Sequence, residues 1–151
     1  MLTLKKDFYN YLKQIKNFNT VKKLEKKFIH HGKCNVYTHS RNVAYLSFKY
    51  AKKLERIFNI KFNYTNLVAG AMLHDLFLYD WHGSVHRLHG YTHPKLASYN
   101  ARKMCNINHE VDEIIISHMW PLTLLHFPKS REAFLVCIVD KIEAVYETFN
   151  R

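Results

Sequence analysis

An all-α helical bundle of six to seven helices is the fold class this chain predicts, on three observations. Gly and Pro number only 4 and 3 in 151 residues, too few breakers for the many turns of a β-sandwich. Apolar residues recur at helical spacing along most of the length, and no stretch alternates convincingly as a strand. The hydrophobic fraction is 48%, enough for a real core, and 151 residues leave no room for two sizeable domains. The expected organisation is one domain, 1–151, in which a basic helical segment, 1–33, packs on a core, 34–151.

The elements follow in order. Leu4, Phe8, Tyr11, Leu12 and Ile15 share one face and predict a first helix over Leu4–Asn17. A second, lysine-rich helix spans Thr20–Ile29 behind a cap at Asn19 or Thr20. The stretch "HHGKCN" breaks the pattern. A third helix covers Val36–Phe58, and Asn59–Asn63 is a connector to a fourth that starts near Tyr64. "YDWHGSVHRLHGYTH" has two glycines and no periodicity, so it reads as a loop. Pro94, at a favoured first helical position, opens the fifth helix. A sixth runs over Glu110–His118 and stops before Pro121; the last spans Ser130–Phe149.

The formal net charge is +11, and much of it lies early, at Lys5, Lys6, Lys13, Lys16, Lys22, Lys23, Lys26 and Lys27. Such a field favours anionic partners without choosing among them. Cys34, Cys105 and Cys137 are isolated and odd in number, which argues against a disulfide framework and a cysteine zinc site. No apolar run has the length of a membrane span, and the N-terminus lacks a signal-peptide core, so the expected location is the cytoplasm.

The informative residues are polar ones on apolar faces. In "LVAGAMLHDLFLYDWH" (Leu67–His82), His74 is in phase with Leu67 and Ala71, and Asp75 with Val68 and Met72. His39 shares a stripe with Val36, Val43 and Leu46. His118 follows Val111, Ile114 and Ile115; Asp140 follows Ala133, Val136 and Cys137. One buried histidine is usually a hydrogen-bonded core residue. Several inward His and Asp side chains on separate helices each cost desolvation, and a shared cation offsets that cost. Imidazole and carboxylate donors suit Fe, Mn, Zn, Co or Ni, and facing helices are a common scaffold for such sites.

The ordered set His39, then His74–Asp75, then Asp140 resembles the signature of the HD-domain superfamily of metal-dependent phosphohydrolases, over roughly Val36–Tyr146. The resemblance implies a helical bundle in which His39, His74, Asp75 and Asp140 hold a first divalent metal. Some branches hold two, with histidines between the pair and the last aspartate; here His93 and His118 occupy that interval, with Asp75 bridging. The branch that cleaves cyclic dinucleotides carries Gly and Lys shortly after the pair, where this chain has Phe77 and Leu78. That branch also has two adjacent late histidines, whereas Met119 follows His118, and "GYTHP" only echoes its signature. The chain therefore looks more like a small stand-alone HD hydrolase acting on a small anionic nucleotide or related phosphoester. A weakly active metal or nucleotide sensor is one alternative; a nucleic-acid-binding protein using the basic N-terminal face is another.

Hydrolysis also needs a proton donor and phosphate contacts. The loop offers His82, His86, Arg87 and His89, with Asp80 to orient a water. Arg131 and Lys141 are weaker phosphate candidates, Lys141 as a flanking charge beside Asp140. Glu143 and Glu147 read as solvated helix residues, and His30 and His31 receive no role. Trp81, Tyr91, Trp120 and Phe127 could stack on a base. The oligomeric state is not legible.

Overall fold

A computed structural model describes residues 2–30, 34–80 and 88–149. Among these, seven helices form the fold: α1 (Leu2–Leu12), α2 (Phe18–Glu25), α3 (Val36–Phe58), α4 (Tyr64–Leu73), α5 (His89–Cys105), α6 (His109–Ser117) and α7 (Arg131–Phe149). The described residues contain no sheet, only an isolated bridge between Ile29 and Asn35.

Asparagines punctuate the chain. The side chains of Asn35, Asn63 and Asn108 accept from the amides of Thr38, Asn66 and Val111, capping α3, α4 and α6. Each such cap contributes about 1 kcal/mol. Asn59 and Asn106 close α3 and α5 in the left-handed region, φ 54° and 50°, which Asn tolerates. Leu78 also has φ 57° and has no such excuse. It turns the chain away directly after the buried Leu76 and Phe77.

Helix α3 packs against α4 and α7, α4 against α6, and α5 against α6. Phe8, Phe48, Leu67, Met72, Ile114 and Ile115 are fully buried between them. Gly70 permits the close α4–α6 approach, since a Cβ there would lie 2.6 Å from Ile114 Cγ2. This brings the C-terminal ends of α4 and α6 together, which sets the position of the site.

Several boundaries differ from the expected ones. The first helix ends at Leu12, not Asn17, because Asn17 adopts φ 58° and its amide donates to Met104 O at 2.6 Å. The second starts at Phe18 and stops at Glu25. The fifth starts at His89, inside the expected loop, with Pro94 internal. Pro94 is the sixth residue of α5 and forfeits the one helical bond its amide would make to Gly90 O; nearby, Thr92 Oγ1 donates to Leu88 O and the His93 ring pairs with His89 O. No helix among the described residues is long and apolar enough to cross a membrane.

Candidate metal centre

The ends of α4 and α6 repeat one device. His74 and His118 are the C-cap residues of these helices. A helix end leaves carbonyls without amide partners, and each ring turns back to take one. His74 Nδ1 lies 2.8 Å from Ala71 O, and His118 Nδ1 lies 2.6 Å from Ile115 O. His93 does the same within α5, with Nδ1 2.8 Å from His89 O. In each case Nδ1–H donates, so the neutral ring presents a bare Nε2 lone pair.

Those lone pairs converge on Asp75. Its Oδ2 faces His74 Nε2 at 3.3 Å and His39 Nε2 at 3.7 Å. Its Oδ1 faces His93 Nε2 at 3.2 Å and His118 Nε2 at 3.7 Å. Asp140 Oδ1 sits 3.0 Å from His39 Nε2 and 3.3 Å from His74 Nε2. The carboxylate of Asp75 thus separates two donor groups: His39, His74 and Asp140 on one oxygen, His93 and His118 on the other. Asn100 Nδ2, donating to Leu76 O at 2.8 Å, anchors the turn that aims it.

The donor set fits divalent cations. His74 Nε2 is buried and makes no hydrogen bond. His93 and His118 bring their Nε2 atoms to 2.8 Å, an arrangement that sets two lone pairs against each other unless a cation or proton lies between. The negative ends of the α4 and α6 dipoles also point here. The nitrogen and oxygen donors match Fe, Mn, Zn, Co or Ni. The atoms of His39, His74 and Asp140 lie within 4.8 Å of one another, as do those of His74, Asp75 and His118.

Protonation tells the same story. Burial disfavours charge on His39, yet its hydrogen bonds to Asp140 and Glu147 outweigh this and raise its pKa to about 9. Burial likewise opposes charge on His74, and the Asp75 and Asp140 carboxylates overcome it, holding His74 well above the ordinary imidazole range. Burial would also raise Asp75 and Asp140, but the surrounding histidines hold both well below the usual carboxylate range. His118 behaves oppositely: burial, then the charges of His74 and His93, push it down to about 3. It stays neutral, as a ligand must.

Two residues given no role belong to the site. His30 is buried, with Nε2 2.7 Å from Asp75 Oδ2 and its ring stacked on His39 at 4.1 Å. Burial pushes its pKa down, so it donates as a neutral imidazole. Glu147 is not solvated: Oε2 accepts from His39 Nδ1 at 2.9 Å, and Oε1 accepts from Cys34 Sγ at 3.4 Å. This carboxylate orients His39 and makes Nε2 a better donor. Glu143 is buried as well. A signal existed for both, since Asp140, Glu143 and Glu147 share one helical face. For His30 there was none in the periodicity. The Ile29–Asn35 bridge and His30 N donating to Cys34 O at 2.7 Å fold it back.

A cavity of about 560 Å³ opens on the cluster, lined by His30, Asp75, His93, His118 and Asp140 together with the apolar Met119, Pro121 and Leu122. His89 and Lys141 also line it. His89 stacks on His93 at 4.4 Å and pairs through Nδ1 with the Tyr79 hydroxyl at 2.7 Å. Lys141 donates to His118 O at 2.9 Å and Cys137 O at 3.1 Å, so it serves a helix end rather than Asp140. Asp80 is exposed and is not among the described residues that line the cavity. Arg131 donates to Lys61 O, away from the site. Tyr91, Trp120 and Phe127 do not line the cavity either; Trp120 packs edge-on against Phe127 at 5.2 Å. His31, Trp81, His82, His86 and Arg87 lie outside the described residues.

A family model described as HD domain matches residues 36–145. No curated protein and no solved structure matches the chain significantly.

Proposed function

The chain belongs to the HD domain family, and we propose that it is a metal-dependent phosphohydrolase cleaving a phosphoester or phosphoanhydride of a small nucleotide. The observation that carries this reading is Asp75, whose two oxygens serve two separate imidazole groups. His39, His74, Asp140 and Asp75 Oδ2 would hold a first ion; His93, His118 and Asp75 Oδ1 would hold a second. Bound divalent ions supply two things phosphate cleavage needs, a lowered pKa for water and an offset for phosphoryl charge.

The chain's own residues do the rest. Glu147 and His30 orient His39 and Asp75 from behind. His89 lines the cavity with its Nδ1 paired to the Tyr79 hydroxyl, and in this reading it would pass a proton to a leaving oxygen. Lys141 adds positive charge at the wall. His86 and Arg87 remain candidates for gripping phosphate oxygens. Met119, Pro121 and Leu122 offer an apolar surface, and the cavity volume suits a nucleotide-sized ligand.

The test is metal content and activity together. Protein purified without chelator, with His74→Ala and His118→Ala beside it, is assayed for transition metals, then screened in Mn or Fe against nucleotides and simple phosphoesters. About two ions per chain, one lost in His118→Ala, with nucleotide turnover abolished in His74→Ala, supports the reading. A chain that binds no metal after reconstitution, or binds it and cleaves no phosphoester, refutes it.

A further inference from the structure

Helix α7 carries the metal-site residues Asp140 and Glu147 on its inner face, and its outer face is also apolar. Phe134, Ile138, Ile142, Val145 and Phe149 are 38%, 53%, 52%, 57% and 82% exposed. At 100° per residue they fall within an arc of about 80°. Phe127, itself 48% exposed, extends the stripe by packing edge-on against Phe134 at 5.1 Å. Tyr146 flanks it at 62% exposed. Together these side chains expose roughly 800 Å², above the few hundred of an ordinary monomer's largest patch and close to one partner's share of a standard interface.

The stripe reads nearly the same from either end: an aromatic, branched aliphatics, an aromatic. That symmetry specifies the occupant. Laid antiparallel on a copy of itself, Phe134 meets Phe149, Ile138 meets Val145, and Ile142 lies beside the two-fold axis. A surface that matches its own rotated image is what a closed two-fold dimer requires. A receptacle sits beside it as well. A groove of about 360 Å³, lined by Leu54, Ile60, Phe62, Leu135 and Ile138 with Arg131 at its wall, includes Phe134 in its lining. It is placed to receive the other copy's Phe149. We propose that this face is the interface of a homodimer in which α7 packs antiparallel on α7.

The chain's charge of +11 makes two copies repel. Added salt therefore tightens this dimer, the reverse of an interface built on ion pairs.

Sedimentation of the full chain from low to high micromolar concentration tests the proposal, with Ile138→Glu and Ile142→Glu compared. The expected result is a wild-type dimer and at least about a tenfold rise in dissociation constant for each variant, since Ile142→Glu would bring like charges together beside the axis and Ile138→Glu would bury a charge against the other copy's Val145. Circular dichroism checks that the variants remain folded; the positions are exposed, so helix content should hold. Mild oxidation supplies an independent readout: Ile142→Cys should cross-link to itself, whereas Glu110→Cys, on another face, should not. A wild type that stays monomeric throughout overturns the proposal. So does a dimer that both glutamates leave intact, or one that Ile142→Cys fails to cross-link. If a glutamate variant unfolds, the cross-link decides.

Discussion

The two halves of the centre share one carboxylate and are built on opposite electrostatic plans. The half around Asp75 Oδ2 gathers a second carboxylate, Asp140, and backs His39 with a third, Glu147. Without an ion, it draws protons onto His39 and His74. The half around Asp75 Oδ1 has two imidazoles tied to backbone carbonyls, and His118 there resists protonation down to about pH 3. The first half is thus anionic and selects strongly for positive charge. The second has no carboxylate beyond the shared one and would hold an ion through two imidazole lone pairs and Asp75 Oδ1. The first ion is therefore expected to bind more tightly, in competition with protons.

The largest effect should come from removing what the halves share. Asp75→Ala is expected to abolish binding of both ions and to lower phosphoester turnover by at least about a thousandfold. Metal analysis after dialysis checks it. A variant that keeps one ion would show that the halves do not depend on a common carboxylate.

Glu147 separates the halves. Glu147→Gln keeps a hydrogen-bond acceptor for His39 and loses the charge, so the first ion should bind about tenfold more weakly; Glu147→Ala should approach a hundredfold. The second ion should be unmoved in both. Competition titrations with a metallochromic chelator read the two affinities separately, and an equal loss at both would dissolve the distinction.

Acidity should expose the opposite plans in the metal-free chain. His39, raised from an ordinary 6.5 to about 9, contributes stability that is full below pH 6.5 and fades as pH climbs through 9. His118, lowered to about 3, contributes stability present above pH 6.5 and lost as pH falls toward 3. Thermal melting of chelator-treated protein should therefore peak near pH 6.5 and decline on both sides. Metal protection against melting should instead grow from pH 6.5 to 9, because binding then displaces fewer protons from His39. A metal-free melting temperature that rises steadily to pH 9 would contradict the plan of the first half.

Much of this was legible in the chain, for physical reasons that differ by region. The bounds of α3 are marked at both ends by asparagines, and its 23 residues hold a single apolar phase, so His39 could be placed inward by counting. His74, Asp75, His118 and Asp140 were legible in the same way. His30 was not, because it sits between helices and reaches Asp75 through a fold-back that no periodicity records. Glu147 was legible in phase and obscured by its charge, which ordinarily marks a solvated position. The outer stripe of α7 was hidden by abundance: a helix apolar on most sides does not show which face is covered.

Substitutions at His30 are expected to act more weakly than those at Asp75 or Glu147. It donates to Asp75 Oδ2, the oxygen of the first half, from a segment that precedes the family match at residues 36–145. A hydrogen bond to a carboxylate that would hold metal fixes its orientation and tunes the charge on that oxygen. His30→Gln retains a donor and should cost no more than a few-fold in turnover, with both ions bound. His30→Ala removes the donor and the stacking on His39, and should weaken the first ion by up to about tenfold while sparing the second. Rescue by Gln of what Ala loses, seen in first-ion affinity rather than in melting temperature, marks His30 as a positioning residue. Equal behaviour of the two variants at the first ion would reduce it to packing, and the asymmetry between the halves would then rest on Asp140 and Glu147 alone.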